Sequence, residues 1–376
     1  MINLRNNLTY YNFRYILRRF STKYRYSIFL IFISFLFIFC SEEKSQYPYV
    51  RMVDRLVGEG DTAGWGSDLG VIFRYNGKIY TLGGDTLYNN IFVSNIIGST
   101  TDQNSSDGLD IVWQKKDGGP KQFFAPIDAT TIVPAGAISV NGTIYVFMMS
   151  VISWIDENHP EYSGRPALVK STDDGDTFSL VWAGDVGRMI NIAPVISTHP
   201  ENSNKEALYL IASNQYRDSE IYLAYTDLDK IEDRGSYKYY IGMDGGRPKW
   251  SDKIGEAVPI VNDVKVGELS VQWNKYLNKW LLCYFDYTPS GGNADMFFRT
   301  ADNLWGPWSD AVFVYDGDYR YYWYETEETR QGPKLWGTPY GGYILSDTEG
   351  SKVYFTLSLW MPYSIFLMEV DLKELF

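Results

Sequence analysis

Two aspartates flank one predicted hairpin in the stretch WGSDLGVIFRYNGKIYTLGGDT, residues 65–86, and both could do acid–base chemistry. At its centre, Asn76 and Gly77 predict a two-residue type I′ turn, because both positions of such a turn need a positive φ. A turn at this point places Asp68 directly opposite Asp85, with Cβ atoms roughly 5 Å apart, unless a bulge near Gly83 and Gly84 shifts the register by one. Like charges at that separation destabilise a sheet, so we expect these aspartates to serve chemistry rather than stability.

A third carboxylate, Glu268, lies at the start of another predicted hairpin, in VGELSVQWN. Strand alternation places Ser270 and Gln272 on the same face as Glu268. Carboxylates that flank a cleft are what glycoside hydrolysis needs, since one donates a proton to the leaving oxygen while another activates water or attacks the anomeric carbon. Where two carboxyl groups lie close together, one pKa rises, which supplies the acid without a metal. The predicted catalytic residues are therefore Asp68, Asp85 and Glu268, and we expect no cofactor and no catalytic metal.

Several other side chains could hold a sugar. Aromatic rings offer stacking platforms, although any single ring in a sheet protein is more often part of the core. The charged corner NQYRDSE and the asparagine of SNIIGST could contact sugar hydroxyls. The predicted substrate-binding residues are Trp65, Asn95, Trp154, Arg217, Gln272, Trp273 and Trp360.

An apolar run that leads through small or polar residues to an aspartate recurs five times. The copies read NIIGSTTD (95–102), ALVKSTDD (167–174), IYLAYTDL (221–228), MFFRTADN (296–303) and IFLMEVDL (365–372). A two-strand stretch precedes each copy, and repeated multi-stranded units predict a propeller, because a closed ring of blades buries faces that one blade alone would expose. We therefore predict an all-β, five-bladed β-propeller over residues 51–376. A β-sandwich is the alternative, and it would not explain a fivefold repeat.

The second copy continues as STDDGDTF, residues 171–178, which matches the Asp-box turn of sialidase-like propellers, S-x-D-x-G-x-T-F/W. In such a turn the aspartate, here Asp173, ties the loop together through hydrogen bonds, and the aromatic residue packs between strands. We therefore interpret Asp173 as a structural residue rather than a catalytic one.

The first 40 residues are typical of an export signal. Six basic residues and no acidic one precede the apolar run SIFLIFISFLFIFC, which is shorter than the roughly 20 residues of a membrane span. The run ends at Cys40, a border that resembles a bacterial lipoprotein processing site, and residues 41–50 suit a tether. We expect an exported lipoprotein of the bacterial cell envelope, in the outer membrane, the periplasm or at the cell surface. An uncleaved anchor and a plain signal peptide are the alternatives.

Removal of that segment leaves a strongly acidic chain. The first 40 residues contain six of the 34 basic residues and none of the 46 acidic ones. The remaining chain therefore has 28 basic and 46 acidic residues, a net charge of −18. Such a surface repels nucleic acid and anionic headgroups, so we expect membrane contact only through a lipid anchor. Besides Cys40 the sequence has only Cys283, which we expect to be a buried thiol. We expect a monomer whose partner is a polysaccharide substrate.

Motifs spread along the chain resemble a known family. WGSDLG, LGGDT, SNIIGST, GELSVQWN and YFTLSLWMPYSIFLMEV are similar, in order and spacing, to the bacterial family labelled domain of unknown function 4185, from about residue 55 to the C-terminus. The resemblance implies a five-bladed propeller like that of arabinanase-type glycosidases. Some members are endo-acting D-arabinofuranosidases of glycoside hydrolase family 183, and the family implies Asp68 and Asp85 for catalysis. Gly83 and Ser67 stand where phenylalanine and threonine are usual, and both carboxylates are retained.

The resemblance implies an endo-D-arabinanase-like glycoside hydrolase. Two other classes stay open from the sequence: a non-catalytic carbohydrate-binding or adhesion propeller, and a protein-interaction propeller of the envelope. The repulsive pair of Asp68 and Asp85 favours the enzyme, since a binding protein has no need to keep it.

Overall fold

The computed structural model describes residues 50–57, 65–152, 164–288, 294–315, 317, 339–345, 350–360 and 362–376. The predicted signal peptide, Cys40 and the tether up to residue 49 lie outside these described residues. Within them, regular structure consists of strands and of three single-turn 3-10 helices, Arg234–Ser236, Ile254–Glu256 and Leu372–Glu374. No helix in this part of the chain has the length and apolarity to cross a bilayer.

The first strand, β1 (Val50–Val57), belongs to the last blade, and the first two blades follow it in sequence. Blade 1 has the sheet order β2 (Gly66–Tyr75), β3 (Lys78–Tyr88), β5 (Ile96–Thr100) and β6 (Val112–Trp113), with β4 (Ile91–Val93) paired to β3. Two short strands, β7 (Lys115–Lys116) and β8 (Gly119–Pro120), pair with each other. Blade 2 has the order β9 (Thr131–Val140), β10 (Thr143–Val151), β11 (Gly164–Ser171) and β12 (Ser179–Ala183).

The third and fourth blades repeat this antiparallel meander. Blade 3 has five strands: β13 (Asn191–His199), β14 (Asn202–Ser213), β15 (Ile221–Asp227), β16 (Lys238–Asp244) and β17 (Arg247–Ser251). Blade 4 has four: β18 (Val266–Asn274), β19 (Lys279–Asp286), β20 (Asp295–Ala301) and β21 (Val312–Tyr315). The third strands of the blades coincide with the recurring sequence element, which explains its spacing.

The fifth blade closes the ring with a strand from the start of the described chain. Its order is β22 (Pro339–Ile344), β23 (Lys352–Leu359), β24 (Ser364–Asp371) and then β1. Arg51 on β1 and Lys352 on β23 both pair with Glu369 on β24, at 3.2 and 3.0 Å. The structure confirms the predicted all-β, five-bladed propeller and adds this closure.

Five inner strands, β2, β9, β13, β18 and β22, surround one central channel and contact one another around the ring. The approach is close at Gly136 on β9, where a Cβ atom would lie 2.2 Å from the carbonyl oxygen of Ile192 on β13. The channel is lined by residues of all five strands, among them Val71, Ala135, Ala193, Leu269 and Tyr343. The narrow centre thus depends on small residues on β9 and β13.

The inner strands begin at one edge of the ring and turn back at the other. We call the first edge, where β2, β9, β13, β18 and β22 begin, the funnel rim, and the second the hairpin edge. Hydrogen bonds link the strand starts of different blades at the rim: Tyr340 reaches Asp68, and Ser213, at the end of β14, reaches Gly267. Side chains near those starts are therefore brought together, although they are far apart in sequence.

Apolar side chains from neighbouring blades pack between the sheets. Ile79 and Leu82 of blade 1 share a buried cluster with Ile144 and Val146 of blade 2, and each such side chain contributes about 1.5–3 kcal/mol through burial. Cys283 is fully buried on β19 and is a free thiol, as predicted. The continuous packing holds the strand starts in fixed positions at the rim.

Candidate active site

The hairpin that carries the first two aspartates has the predicted turn. Asn76 and Gly77 have φ values of 49° and 71°, as a type I′ turn requires. Tyr75 pairs with Lys78, and the expected register continues until Val71 faces Leu82. The sequence therefore predicted the turn end of the hairpin correctly.

At the funnel rim the register shifts, and the predicted one-to-one pairing of Asp68 with Asp85 is wrong. Two shifts flank Leu69, so that Asp68 alone stands against both Gly84 and Asp85. Leu69 and Gly70 have φ values of 64° and 92°, which twist β2 away from regular pleating. A bulge of this kind redirects the side chain next to it. The aspartates are therefore neighbours across a bulge rather than partners on one rung.

Glycines on β3 make room for the carboxylate of Asp68. A Cβ atom on Gly84 would lie 2.3 Å from Asp68 Oδ1, and one on Gly83 would lie 2.4 Å from Ser67 Oγ. In this chain, a Cβ atom at either position would therefore displace the side chain of Ser67 or Asp68. Gly83 and Ser67, the two departures from the resembled family, thus contact the same small space.

The carboxylate of Asp68 is buried and only half satisfied. Its Oδ2 accepts hydrogen bonds from the hydroxyls of Tyr340 and Tyr363, at 3.2 and 3.3 Å, while its Oδ1 is buried without a hydrogen-bond partner. Burial raises the pKa of Asp68 well above its usual range, the charge of Asp85 raises it further, and the two tyrosine hydroxyls oppose this. Asp68 is thereby suited to keep a proton.

Asp85 lies at the end of β3 and is buried as well. Its Oδ1 accepts a hydrogen bond of 2.5 Å from the hydroxyl of Thr131, the first residue of β9. Burial raises the pKa of Asp85 to about 6, although the bond from Thr131 acts to lower it. Because the charge of Asp85 acts on Asp68, the two carboxyl groups titrate together and their apparent pKa values belong to the pair.

Glu268 lies at the rim in blade 4, on a second bulge, between the rungs that Val266 and Leu269 make with β19. It is 3% exposed, and its Oε1 accepts a hydrogen bond of 3.1 Å from Arg217 Nη2. Its Oε2 is buried without a partner. The predicted charged corner at Arg217 thus reaches the predicted third carboxylate, which the sequence did not show.

Tyrosine rings surround the Arg217 guanidinium. Its central carbon lies 4.7, 5.0 and 5.4 Å from the ring centroids of Tyr216, Tyr287 and Tyr340. Cation–π contacts of this length stabilise the charge at a desolvated place. Tyr340 therefore touches both halves of the site, since its ring faces Arg217 and its hydroxyl binds Asp68.

The chain around Tyr363 connects blade 5 to the first aspartate. Its carbonyl accepts a hydrogen bond of 3.0 Å from the backbone N–H of Ser67, and its φ of 61° is unusual for a non-glycine residue. Trp360 is 63% exposed and lies edge-on to Tyr363, with ring centroids 5.7 Å apart. Trp360 is thus a predicted aromatic platform with a solvent-exposed ring, next to the tyrosine that bonds Asp68.

Other predicted substrate-binding residues have different positions. Trp65 is 1% exposed and packs edge-on against Tyr88, so its ring is part of the core. Asn95 is fully buried, and its amide bonds the backbone of Phe123, Phe124 and Ile132, which braces a loop against β9.

Gln272 and Trp273 lie far along β18 from Glu268. Four or five residues of strand separate them from it, about 13–17 Å. Trp273 is 39% exposed and packs against Trp280 at the hairpin edge. Trp154 lies outside the described residues. The structure thus brings Arg217 and Trp360 to the carboxylates and keeps Trp273 at the other end of the blade.

Sequence reasoning missed the tyrosines and Thr131. Tyr340, Tyr363 and Tyr287 come from blades 4 and 5, and nothing in their local sequence separates them from the other aromatic residues. Thr131 is the first residue of an inner strand, and that position was the one available signal. The starts of the inner strands would have led to Thr131 and Tyr340, whereas Tyr287 and Tyr363 lie in connections after β19 and before β24.

The Asp-box turn has the structural role predicted for it. Asp173 Oδ1 accepts hydrogen bonds from Ser171 Oγ and the backbone N–H of Thr177, at 2.7 and 2.9 Å, and its Oδ2 accepts one of 2.6 Å from Thr177 Oγ1. These bonds from Thr177 and Ser171 lower the pKa of Asp173 to about 2. Phe178 packs against Phe123 in the core, with ring centroids 4.8 Å apart.

A polar cavity of about 360 Å³ adjoins the loop that carries Tyr216 and Arg217. Its volume falls within the range of roughly 300–1,000 Å³ found for small-molecule sites. Within the described ranges, no three His, Cys, Asp or Glu side chains are grouped so that they could hold a metal ion. The cavity is lined by Val186, Gly187, Arg188, Asn214, Gln215, Asp218, Ser219, Glu220 and Tyr222.

The chain belongs to the family described as Domain of unknown function (DUF4185), which it matches over residues 60–369. This confirms the resemblance drawn from the motifs. By sequence, the chain matches none of the curated proteins.

Solved structures share the fold at low sequence identity. A protein from Bacteroides ovatus ATCC 8483, provisionally described as a hydrolase, has a TM-score of 0.56 and 12% identity, with 85% of this chain and 87% of that chain covered. The α-L-arabinofuranosidase PaAbf62A from Podospora anserina has a TM-score of 0.52 and 13% identity, with 86% and 96% covered. An exo-β-1,3-galactanase from Phanerochaete chrysosporium has a TM-score of 0.54 and 12% identity, with 86% and 65% covered. The shared propeller is one on which glycoside hydrolases are built.

Proposed function

We propose that the protein is an exported glycoside hydrolase that cleaves a furanoside polysaccharide, with an endo-D-arabinanase-like activity. The observation that carries the proposal is the pair of buried carboxylates, Asp68 and Asp85, whose pKa values are both raised at the rim of the propeller. Raised carboxyl pKa values in a cleft are the property that general acid catalysis at neutral pH requires.

In the proposed reaction, Asp68 and Asp85 act as the acid–base pair. The protonated member donates its proton to the glycosidic oxygen as the bond from that oxygen to the anomeric carbon breaks. The ionised member either accepts a proton from the water that adds to the anomeric carbon, or bonds to that carbon itself until water displaces it and gives its proton to the first carboxylate. In both routes the pair ends with the proton it started with. Thr131 orients Asp85, and Tyr340 and Tyr363 orient Asp68, through the hydrogen bonds described above.

Glu268 is the third carboxylate of the proposed site. Arg217 fixes one of its oxygens and leaves Oε2 free to act on the substrate, either as a second proton donor or as a hydrogen-bond acceptor for a sugar hydroxyl. Trp360 offers an exposed ring beside Tyr363 on which a sugar could stack. The same rim thus provides proton transfer and a platform for the chain.

The substrate class rests on two supports. The family resemblance implies furanosidase activity on D-arabinan, and one protein with the same fold carries the name of an arabinofuranosidase. The galactanase with the same fold makes other polysaccharides necessary controls.

The experiment is incubation of the mature protein with D-arabinan, L-arabinan and a xylan, measured as release of reducing ends. We expect release from D-arabinan, loss of release in Asp68→Asn and Asp85→Asn, and no change in Asp244→Asn, an exposed aspartate on the outer strand β16. Binding to a polysaccharide without release of reducing ends would indicate the non-catalytic propeller instead. Equal activity in all three variants would disprove the site.

We also propose that Cys40 carries a lipid that anchors the mature protein to the cell envelope. The support is the sequence alone: a basic segment, a short apolar run and a cysteine at its end. Labelling with a radioactive fatty acid tests it, and Cys40→Ser should lose the label. Equal labelling of the wild type and the variant would disprove the anchor.

A further inference from the structure

Polar atoms without partners gather at the funnel rim. Among the described residues, Asp68 Oδ1, Glu268 Oε2, Arg217 Nε, Asn191 Nδ2 and Tyr287 Oη are all buried there without a hydrogen-bond partner. Each such atom costs roughly 1–3 kcal/mol when it is left unpaired, so native proteins keep few of them. Their concentration at the proposed site of catalysis indicates that a ligand supplies the missing partners.

Tyr287 stands directly against the Arg217–Glu268 pair. It follows the last residue of β19, which ends at the rim beside the start of β18. Its ring lies 5.0 Å from the Arg217 guanidinium, and a Cβ atom on Gly267 would lie 3.4 Å from Tyr287 Cε2. The ring is thus fixed by its neighbours, while its hydroxyl has no hydrogen bond.

Asn191 occupies the start of the inner strand of blade 3, the place that corresponds to those of Asp68 and Glu268 in blades 1 and 4. It is 3% exposed and pairs in the ladder with Ser213, whose Oγ donates to the carbonyl oxygen of Gly267 at 3.0 Å. Ser213 therefore connects Asn191 to Gly267, the residue before Glu268. Its amide N–H group is an unpaired donor at that place.

We infer that Tyr287 and Asn191 are substrate-binding residues that hydrogen-bond the hydroxyl groups of the sugar ring lying against Asp68 and Glu268. The inference rests on the proposed function and deepens it, because it assigns the recognition of the ring to blades 3 and 4. A hydroxyl is both donor and acceptor, so it can pair with a carboxylate oxygen and with an amide or tyrosine donor at once. A site of this kind rejects a ring that lacks the hydroxyl, since its buried groups would stay unpaired.

The decisive variant is Tyr287→Phe, which removes one oxygen and leaves the ring. We expect its melting temperature without ligand to equal or exceed that of the wild type, because an unpaired buried hydroxyl is lost. With D-arabinan we expect kcat/KM to fall roughly 10- to 100-fold, mainly through KM, as loss of a contact made throughout the reaction predicts. Asn191→Ala should show the same fall in kcat/KM.

Ser105→Ala is the matched control. Ser105 Oγ is likewise buried without a partner, but it lies in the loop between β5 and β6. The variant should keep wild-type kcat and KM and should not melt lower. The comparison separates relief of an unpaired group from loss of a substrate contact.

Two results with the Tyr287→Phe variant would overturn the inference. One is a Tyr287→Phe protein that melts several degrees below the wild type, since its hydroxyl would then have a structural partner. The other is a Tyr287→Phe protein with wild-type kinetics and an unchanged rise in melting temperature on addition of D-arabinan. If D-arabinan stabilises the wild type but is not cleaved by it, the proposed function alone is refuted. The inference is then decided by whether Tyr287→Phe loses that stabilisation. A wild type that none of the three polysaccharides stabilises, and that cleaves none, refutes both.

Discussion

Carboxylates at the two edges of the propeller have opposite environments. At the funnel rim, Asp68 and Asp85 are 7% and 6% exposed, and burial raises both pKa values. At the hairpin edge, Asp173 is exposed, accepts hydrogen bonds from Ser171 and Thr177, and has its pKa lowered to about 2. The same side chain is thus prepared to carry a proton at one edge and to hold a turn as a carboxylate at the other.

The difference shows what separates the proposed catalytic aspartates from a structural one. Asp173 finds its donors within four residues of its own position, so the turn itself satisfies its charge. Asp68 finds its donors in Tyr340 and Tyr363, in another blade, and one of its oxygens stays unpaired. A carboxylate that the fold buries without satisfying it is costly to the protein, and the proposed chemistry accounts for that cost.

The largest difference in kcat/KM should appear when carboxylates at the two edges are exchanged for amides. We expect Asp68→Asn and Asp85→Asn each to lower kcat/KM by roughly 10²–10⁴-fold, the usual contribution of an acid or base, while the melting temperature stays the same or rises. Asp173→Asn should keep kcat/KM and melt about 2–4 °C lower, for a loss of about 1 kcal/mol at an exposed site. Activity assays and thermal unfolding of the three variants test this. If the rim variants melt lower than the wild type, as Asp173→Asn should, the rim aspartates are structural as well.

The next largest difference should be in how much the ion pairs of the two edges contribute to the free energy of unfolding. Arg217→Met leaves Glu268 buried without its partner, and we expect a loss of about 3–5 kcal/mol in the free energy of unfolding, measured with urea. Lys279→Met removes the exposed pair of Lys279 and Asp302, which are 2.6 Å apart at the hairpin edge, and should cost at most about 1 kcal/mol. Adding Glu268→Gln to Arg217→Met should restore part of the loss. Equal losses from the two single variants would contradict the burial argument.

The pH dependence of stability should have opposite signs at the two edges. Asp85 has a folded pKa of about 6 against a usual 3.8, so its contribution to stability is largest below about pH 4 and falls as the pH rises through 6. Asp173 has a folded pKa of about 2, so its contribution is complete above about pH 4 and is lost as the pH falls.

Urea unfolding between about pH 2 and pH 8 measures both effects. Relative to the wild type, Asp85→Asn should gain about 3 kcal/mol between about pH 4 and pH 7, since its pKa is raised from 3.8 to about 6 and one pKa unit corresponds to about 1.4 kcal/mol. The deficit of Asp173→Asn should instead develop between about pH 2 and pH 4 and then stay constant. A deficit of Asp85→Asn that grew with pH would show that Asp85 is a structural carboxylate.

The smallest difference between the two edges should be the change in KM when an exposed tryptophan is replaced by alanine. Trp360→Ala at the rim should raise KM for D-arabinan roughly 5-fold without changing the melting temperature, because loss of one stacking ring costs about 1 kcal/mol. Trp273→Ala at the hairpin edge should leave KM unchanged, although it removes a ring of the same kind. Michaelis kinetics of the two variants decide the point. Equal rises in KM would show that substrate reaches both edges.

The sequence by itself determined the parts of this protein that depend on neighbouring residues. The fivefold recurrence predicted five blades, Asn76 and Gly77 predicted the type I′ turn, and the spacing of Ser171, Asp173 and Thr177 predicted a structural turn. The two turns are decided by backbone conformation and hydrogen bonds within a few residues, and the number of blades follows from an element that recurs along the chain. The three carboxylates also stood out, since a charge near the open end of a hairpin had no local reason to be there.

Only the tertiary structure decided what those carboxylates meet. The bulge at Asp68 depends on β23, because Thr356 and Ser358 donate to the carbonyls of Gly70 and Leu69, and sequence pairing rules assume a regular ladder. Arg217 and Glu268, 51 residues apart, pair because blades 3 and 4 adjoin. The edge to which a tryptophan belongs follows from the direction of its strand. Asn95, Trp65 and Trp360 resembled one another as candidates, and burial alone separated them, because burial is a property of the closed ring and not of the residues next to them in the chain.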